Sequence, residues 1–279
     1  MYREQPFYLH RVTALNQKPF GFLFAIDGLI LEGCNATGTY RIRNHMSNQI
    51  LELPDLEETY FGITSMGYAS STNEYKVLHL YWKEVSVIGM KILTAGVDQT
   101  WRPIHTPHTF YTSKNDETIY YTLDGIHYIM MYRRSSETDD QTNKIIGFKF
   151  EDESFIEFAM PEGLKLLKGG SLPWGLKWDE KLSVGCKFEN QFHIWVLLEN
   201  NYKNPKWDER RRTCSYLHFH TMKDSFVRSV SGDSASIKGG LVDFTLDIKS
   251  GKVLDFTHNG FMELRPSLVS FRGMKTRAD

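Results

Sequence analysis

The 279-residue sequence has no surplus of charge of either sign, with 33 lysines and arginines against 34 aspartates and glutamates. Without a global field to draw in nucleic acid or an anionic lipid surface, a partner has to be met locally. Cysteine is scarce: Cys34, Cys186 and Cys214 are an odd number at wide spacing, which reads as reduced thiols of the cytosol or nucleus rather than a disulfide framework. No run of about 18 apolar residues occurs, and the opening MYREQPFYLHRV lacks an apolar stretch of signal-peptide length, so neither a membrane span nor a secretory address is expected. The sequon Asn35-Ala36-Thr37 is then read as a chance match. Helical periodicity is nearly absent, and Pro161 to Lys168 (PEGLKLLK) is the best candidate for a short helix, in a connection between sheets. The linear signatures of catalysis GxGxxG, P-loop, GxSxG and HExxH are missing too.

What is there is apolar and aromatic, 41% and 14% of the residues, a composition that suits pleated, half-buried strands. One hairpin recurs: an apolar strand, a polar turn, then a short strand with a bulky residue, often running into proline. It is found at Tyr40 to Pro54, Met90 to Pro107, Lys144 to Pro161, His193 to Arg210 and Leu241 to Phe256. The residue after each turn is Ile50, Trp101, Phe155, Trp207 and Val253, a spacing of about 50 residues, which is the period of stacked β-sheet blades. Between these hairpins lie a second set of turns that open apolar strands: Asp27-Gly28, Ser71-Thr72-Asn73-Glu74, Asp124-Gly125 and Asp179-Glu180.

Each unit therefore reads as strand, turn, strand, longer connection, strand, turn, strand. The units are expected near residues 20–55, 60–107, 118–161, 172–214 and 225–258. The expected fold is an all-β propeller of five to six four-stranded blades over residues 20–271. A remnant linker or first strand precedes it at 1–19, and a disordered tail follows at 272–279. The strand-like leftovers Pro6 to Val12 and Phe261 to Phe271 are expected to pair chain start with chain end, closing a composite last blade and covering open edges. Trp101, Phe155 and Trp207, at repeat spacing, are read as wedges packed between blades rather than site residues.

The ordered variants of the hairpin resemble the F-box-associated domain of plant F-box proteins, including the S-locus F-box-like group, a kelch-like propeller. The matching stretches are Tyr40 to Asn44 with Ile50 to Pro54; Tyr68 to Val77; Trp101 to Ile104; Ile145 to Phe150 with Phe155 to Pro161; and Lys181 to Ser183 followed by Ile194 to Val196 and Trp207. The resemblance implies a module that selects the protein to be ubiquitinated by an SCF (cullin–RING) ligase. In that family an N-terminal F-box docks on a Skp-type adaptor. Only some 20 residues precede the first expected strand here, without the early Leu-Pro or late Trp of an F-box. Adaptor binding is therefore expected only if an F-box lies upstream.

Groups that could carry chemistry are few. His105 and His108 bracket Thr106-Pro107, and the proline works against helical presentation of two metal ligands. Cys214, His218 and His220 would share one face of a strand, but a zinc site needs a fourth ligand and a second shell. Both sets are read as structural, with no cofactor or metal expected. Arg210-Arg211-Arg212 is offset by Asp208 and Glu209, so nucleic-acid binding is not expected. What remains is a set of connections between second and third strands, at 32–37, 81–84, 132–141 and 187–191. They carry Tyr81, Trp82, Lys83, Arg133, Arg134, Lys187 and Phe188. Aromatics and arginine on one rim suit a protein-binding hot spot, so a target protein is expected on one propeller face. The alternatives are a metal-dependent oxidase or lyase on a kelch-like propeller, and a degenerate scaffold without a specific target.

Overall fold

The computed structural model describes residues 20–34, 37–56, 62–84, 87–106, 116–133, 143–166, 173–188, 191–198, 202–213, 225–231, 234–239, 242–247, 253–258, 271 and 273–276. Its strands fall into successive four-stranded antiparallel meanders. The first comprises β1 (Gly21–Ile26), β2 (Leu29–Cys34), β3 (Thr39–Asn44) and β4 (Gln49–Glu52); the second, β5 (Gly62–Ala69), β6 (Glu74–Glu84), β7 (Val87–Thr94) and β8 (Arg102–Pro103). The third is built from β9 (Asp116–Leu123), β10 (Ile126–Arg133), β11 (Lys144–Lys149) and β12 (Phe155–Ala159), and a short helix, α1 (Glu162–Leu166), follows it where PEGLKLLK was expected to connect sheets. A fourth meander, β13 (Trp174–Trp178), β14 (Lys181–Phe188), β15 (Gln191–Leu197) and β16 (Trp207–Thr213), is joined through a parallel pairing of β13 with β17 to a fifth. The fifth consists of β17 (Ser225–Ser231), β18 (Ser234–Gly239), β19 (Val242–Asp247) and β20 (Val253–His258). This is the all-β, four-stranded-sheet architecture of a β-propeller, and the five meanders coincide with the five units of the repeat.

Local chemistry explains the hairpins. The β1–β2, β9–β10 and β13–β14 connections are two-residue loops, since Ile26 pairs with Leu29, Leu123 with Ile126 and Trp178 with Lys181. Their central residues all lie at positive φ: 49° and 76° at Asp27-Gly28, 49° and 70° at Asp124-Gly125, 44° and 61° at Asp179-Glu180. That is the type I′ geometry whose twist matches the flanking strands, and glycine occupies its second position without steric cost. Glu180 adopts the same conformation with a side chain. In the β3–β4 turn, Asn44 Oδ1 accepts from the Met46 and Ser47 N–H groups at 3.0 and 3.2 Å, an Asx-type closure that competes with strand continuation.

The chain divides into two compact units: Met1–Lys114 with Phe150–Asp152 and Glu263–Asp279, and Asn115–Lys149 with Glu153–Met262. In the first, Leu29, Leu31, Tyr40 and Ile42 of one sheet meet Met66, Tyr75, Val77 and Leu93 of the next in a single core. In the second, Leu123, Tyr128, Met130, Ile145 and Phe158 meet Leu182, Val184, Trp195 and Leu197. The second strand of each of the first four sheets is buried on both faces: Leu29 to Leu31, Val77 to Tyr81, Tyr128 to Met131 and Leu182 to Cys186 are all buried. Such a strand requires cover on both sides of its sheet, the demand that the repeat period signalled. Within the first unit the Glu151 carboxylate also accepts from the backbone N–H groups of Ser70 and Ser71, at 2.6 and 2.7 Å, at the tip of the β5–β6 hairpin.

The expected wedges carry a hydrogen bond that repeats. Trp101, entering β8, donates its indole N–H to the Pro54 carbonyl just past β4, at 2.7 Å, and sets its ring edge-on to Tyr40. Trp207, which opens β16, donates to the Ala159 carbonyl at the end of β12, at 3.3 Å, and stacks on Phe158. Both bonds tie the fourth strand of one sheet to the exit of the preceding sheet. Phe155, at the equivalent place in β12, packs edge-on against Phe148 within its own sheet.

One expectation at the end of the chain is revised. The C-terminal segment, expected as a disordered tail from residue 272, forms β21 (Lys275–Thr276), which pairs with Ile50 and Gln49 on the outer edge of β4. It thus adds a fifth strand to the first sheet. The segments Pro6 to Val12 and 261–270, expected to close a composite last blade, lie outside the described residues, as do Asn35, His108 and the Cys214, His218 and His220 set. Among the described residues no helix is long and apolar enough to cross a membrane. Asp208 lies in β16, where its carboxylate accepts from Arg210 Nε at 3.0 Å, consistent with its offsetting the arginine run. Arg210 in turn lies over the Trp178 ring.

Two stability predictions follow from this packing. Trp101→Ala should cost about 3 kcal/mol, the low end for a packed tryptophan because the side chain is only half-buried. Trp101→Phe should cost about 1 kcal/mol by removing the hydrogen bond alone. Urea unfolding of both variants separates the two contributions, and a loss under about 1 kcal/mol for the alanine variant would contradict the wedge role. Glu180→Gly should stabilise by about 0.5–1 kcal/mol. Relief of the left-handed conformation outweighs both the greater freedom of glycine in the unfolded chain and the exposed Lys177–Glu180 ion pair. A lowered unfolding midpoint would count against that strain.

Candidate functional site

The residues expected to form a binding rim sit at one topological position, the C-terminal ends of second strands. They belong to strands more than to loops. Tyr81, Trp82 and Lys83 are within β6, which continues to Glu84; Arg133 is the last residue of β10; Lys187 and Phe188 end β14. Apolar and aromatic runs in β6 and β14 keep these chains in the ladder until a two-residue connection, 85–86 or 189–190, turns them back. Arg134 lies outside the described residues.

Their surroundings differ. Tyr81 is a correction to the expected rim: it is buried, stacked with His79 at 6.0 Å, and so belongs to the core of the first unit. Trp82 is half-buried. It faces Ile88 across the ladder, while Glu84 faces Val87, leaving Lys83 as the extra residue of a β-bulge. A bulge sharpens the local twist and redirects side chains at a strand end. In the second unit, Lys187 and Phe188 are half-buried opposite Phe192 and Gln191, and the Phe188 ring meets His193 edge-on at 6.3 Å. Arg133 stands opposite Asp116 of β9. In the connection expected at 32–37, Glu32 to Cys34 also prove to be strand. The buried Glu32 carboxylate there accepts from Arg41 Nε at 2.7 Å and from Arg43 Nε at 3.1 Å. Arg41 lies 4.1 Å above the Phe20 ring.

Sequence reasoning passed over a recurring pair of groups inside the sheets. His79 of β6 is directly opposite Thr64 of β5, and His127 of β10 is opposite Thr122 of β9. In each pair the threonine hydroxyl is hydrogen-bonded to imidazole Nδ1, at 2.9 and 2.8 Å, while Nε2 is buried without a partner. Only the register brings these residues together, because 15 positions separate the first pair and 5 the second. His79 Nε2 lies above Gly62, where a Cβ would sit 2.7 Å away. Tyr40, Tyr81 and Trp101 surround that imidazole, and Tyr120 stacks on His127. Burial, together with Lys91 on the neighbouring strand, lowers the His79 pKa to about 4; burial alone lowers that of His127 to about 3. Neither is poised to exchange protons near neutrality. Among the described residues, no three His, Cys, Asp or Glu side chains converge as a metal site.

The two histidines set a pH window. Because both are held neutral in the folded chain, the unfolded chain binds more protons below a pH of about 6.5. Stability is fully present above that value and falls as pH drops, through about 4 for His79 and about 3 for His127. Melting of the wild type and of His79→Gln between pH 7.5 and 4.5 should show a shallower loss in the variant, by a few kcal/mol at the acid end. Parallel curves would mean that His79 is not held neutral.

The family described as the F-box associated beta propeller domain matches residues 8–237. An F-box protein of Arabidopsis thaliana is 28% identical over 134 residues, a match that spans 46% of this chain and 33% of the relative. Among solved structures, a luciferin-regenerating enzyme is similar at TM-score 0.45 and 11% identity, covering 83% of this chain and 73% of its own. The WD40 domain of SCAP from fission yeast is similar at TM-score 0.41 and 8% identity, covering 85% of this chain and 54% of its own. Likenesses that distant carry no functional argument, whereas the family match runs through the first four sheets and into the fifth. This chain belongs to the F-box associated beta propeller family.

Proposed function

We propose that the chain is a protein-recognition module, the substrate-binding part of an SCF-type ubiquitin-ligase receptor, acting by binding rather than by catalysis in the cytoplasm or nucleus. The observation that carries this reading is family membership. It is supported by the aromatic and cationic residues at the ends of the second strands: Trp82 and Lys83 in the first unit, and Arg133, Lys187 and Phe188 in the second. Half-buried aromatics beside cations are what an interface uses as anchors, since each supplies a large contact area with few torsions to freeze. The buried histidines fit this role better than an enzymatic one, because His79 is enclosed by Tyr40, Tyr81 and Trp101 and His127 is buried against Tyr120. Adaptor docking would be the work of an F-box, and modification of the bound protein the consequence.

The test uses proteins captured by the purified chain from plant extract, re-measured one at a time as pure components. Trp82→Ala and Phe188→Ala should each weaken a true target by about 30-fold, the effect of losing a hot-spot side chain of about 2 kcal/mol, without lowering the melting temperature. Unchanged affinity in both variants would remove the strand-end site. A target whose level does not rise when the proteasome is inhibited would remove the ligase assignment and leave recognition standing.

A further inference from the structure

The end of the chain occupies an edge that the rest of the fold leaves available. β21 runs antiparallel along β4, with Lys275 opposite Ile50 and Thr276 opposite Gln49. Just before it, the Phe271 ring stands edge-on to Tyr75 at 5.6 Å and 87°. Phe271 and Met274, both half-buried, pack on the core cluster that contains Leu51 and Tyr75. Between them the chain turns at Gly273, whose φ is 90°, and the Met274 N–H donates to the Phe271 carbonyl at 3.1 Å. The contact is small, with two paired residues and two half-buried side chains, so it belongs to the class of local structure that opens at low cost.

Two of the other fourth strands are blunted against pairing. β8 has only two residues and ends in Pro103, and β16 carries the charged run Asp208 to Arg212. These are the usual defences of an exposed strand edge. β4 reads Gln-Ile-Leu-Glu, with no proline and its one charge at the end. What covers its outer edge is a strand from the chain's own C-terminal segment.

We propose that the outer edge of β4, with the adjoining Leu51 and Tyr75 surface, is a β-augmentation site for an extended segment of a partner protein, and that residues 271–276 fill it as an intramolecular stand-in. The stand-in shows the chemistry that the site accepts: an apolar residue against Tyr75, a second apolar residue three positions later, a glycine or other residue tolerant of positive φ between them, and then an extended pair that adds to the sheet. Backbone hydrogen bonds supply the binding and the two apolar anchors the selectivity. A partner competes with the tethered segment, so its apparent affinity is reduced by the fraction of time the edge is covered. This site is separate from the second-strand ends and does not depend on them.

The experiment uses the full chain and a fluorescent peptide with the sequence of residues 270–279, SFRGMKTRAD. The double variant Phe271→Asp/Met274→Asp, which releases the stand-in, should bind the peptide at least tenfold more tightly than the wild type. N-methylation of the peptide at the position of Lys275 or of Thr276 should abolish binding in one case and spare it in the other, because adjacent strand residues point their N–H groups to opposite sides. Should the double variant lose its cooperative melt, Met274→Ala is to be compared with the wild type in the same assay. Absence of binding by the released chains, equal binding by wild type and variant, or indifference to both methylations would overturn the proposal. So would dimerisation of the released chain that blocks the peptide, which would make a second copy the occupant.

Discussion

Burial of the second strand on both faces, in each of the first four sheets, is the constraint on which the rest of the structure depends. Leu29 to Leu31, Val77 to Tyr81, Tyr128 to Met131 and Leu182 to Cys186 leave no solvent face, so none of these four sheets is stable by itself. The cost of ordering a four-stranded meander is recovered only when apolar surface is removed from water on both of its sides. The recurring indole bonds, Trp101 to Pro54 and Trp207 to Ala159, give that stacking a fixed register. Each aligns the fourth strand of one sheet with the end of the fourth strand before it.

The same constraint decides where polar chemistry is found. Histidines placed in two-sided strands are desolvated, so His79 and His127 are kept neutral and each is satisfied only by the threonine opposite. They contribute to the specificity of the sheets and are removed from proton transfer at neutral pH. Side chains outside the core are displaced to strand ends, turns and edges. Trp82 with its bulge and Phe188 against His193 illustrate this at the ends of β6 and β14. The exposed Met46 and Val97 illustrate it at hairpin turns.

Much of this was legible in the sequence because its signals are short-range. Asp-Gly turns specify two-residue hairpins through backbone sterics alone, and Asp179-Glu180 was recognised as their equivalent from position. The bulky residue after each second turn marked the fourth strand. The residues expected at the rim were harder to place. Tyr81 has the composition of an interface residue and the neighbours of a core residue, and nothing within β6 distinguishes the two. Strand continuation through Glu84 and Phe188 depended on pairing with β7 and β15, so residues expected in loops proved to be in ladders.

By itself, then, the sequence determined the four-strand unit and the order of the sheets, the turns that connect their strands, and the family to which they belong, because local propensities and a repeat period specify these. Tertiary structure alone decided the partners of groups far apart in the chain: Thr64 with His79, Trp101 with Pro54, Glu32 between two arginines, and the C-terminal strand with β4. Such pairings are set by cross-strand register and by the packing of one sheet on the next, and neither leaves a periodic trace in a single sequence. The recurring hairpin fixed the architecture, whereas the distinction between wedge and core aromatic was settled by what each side chain met after folding.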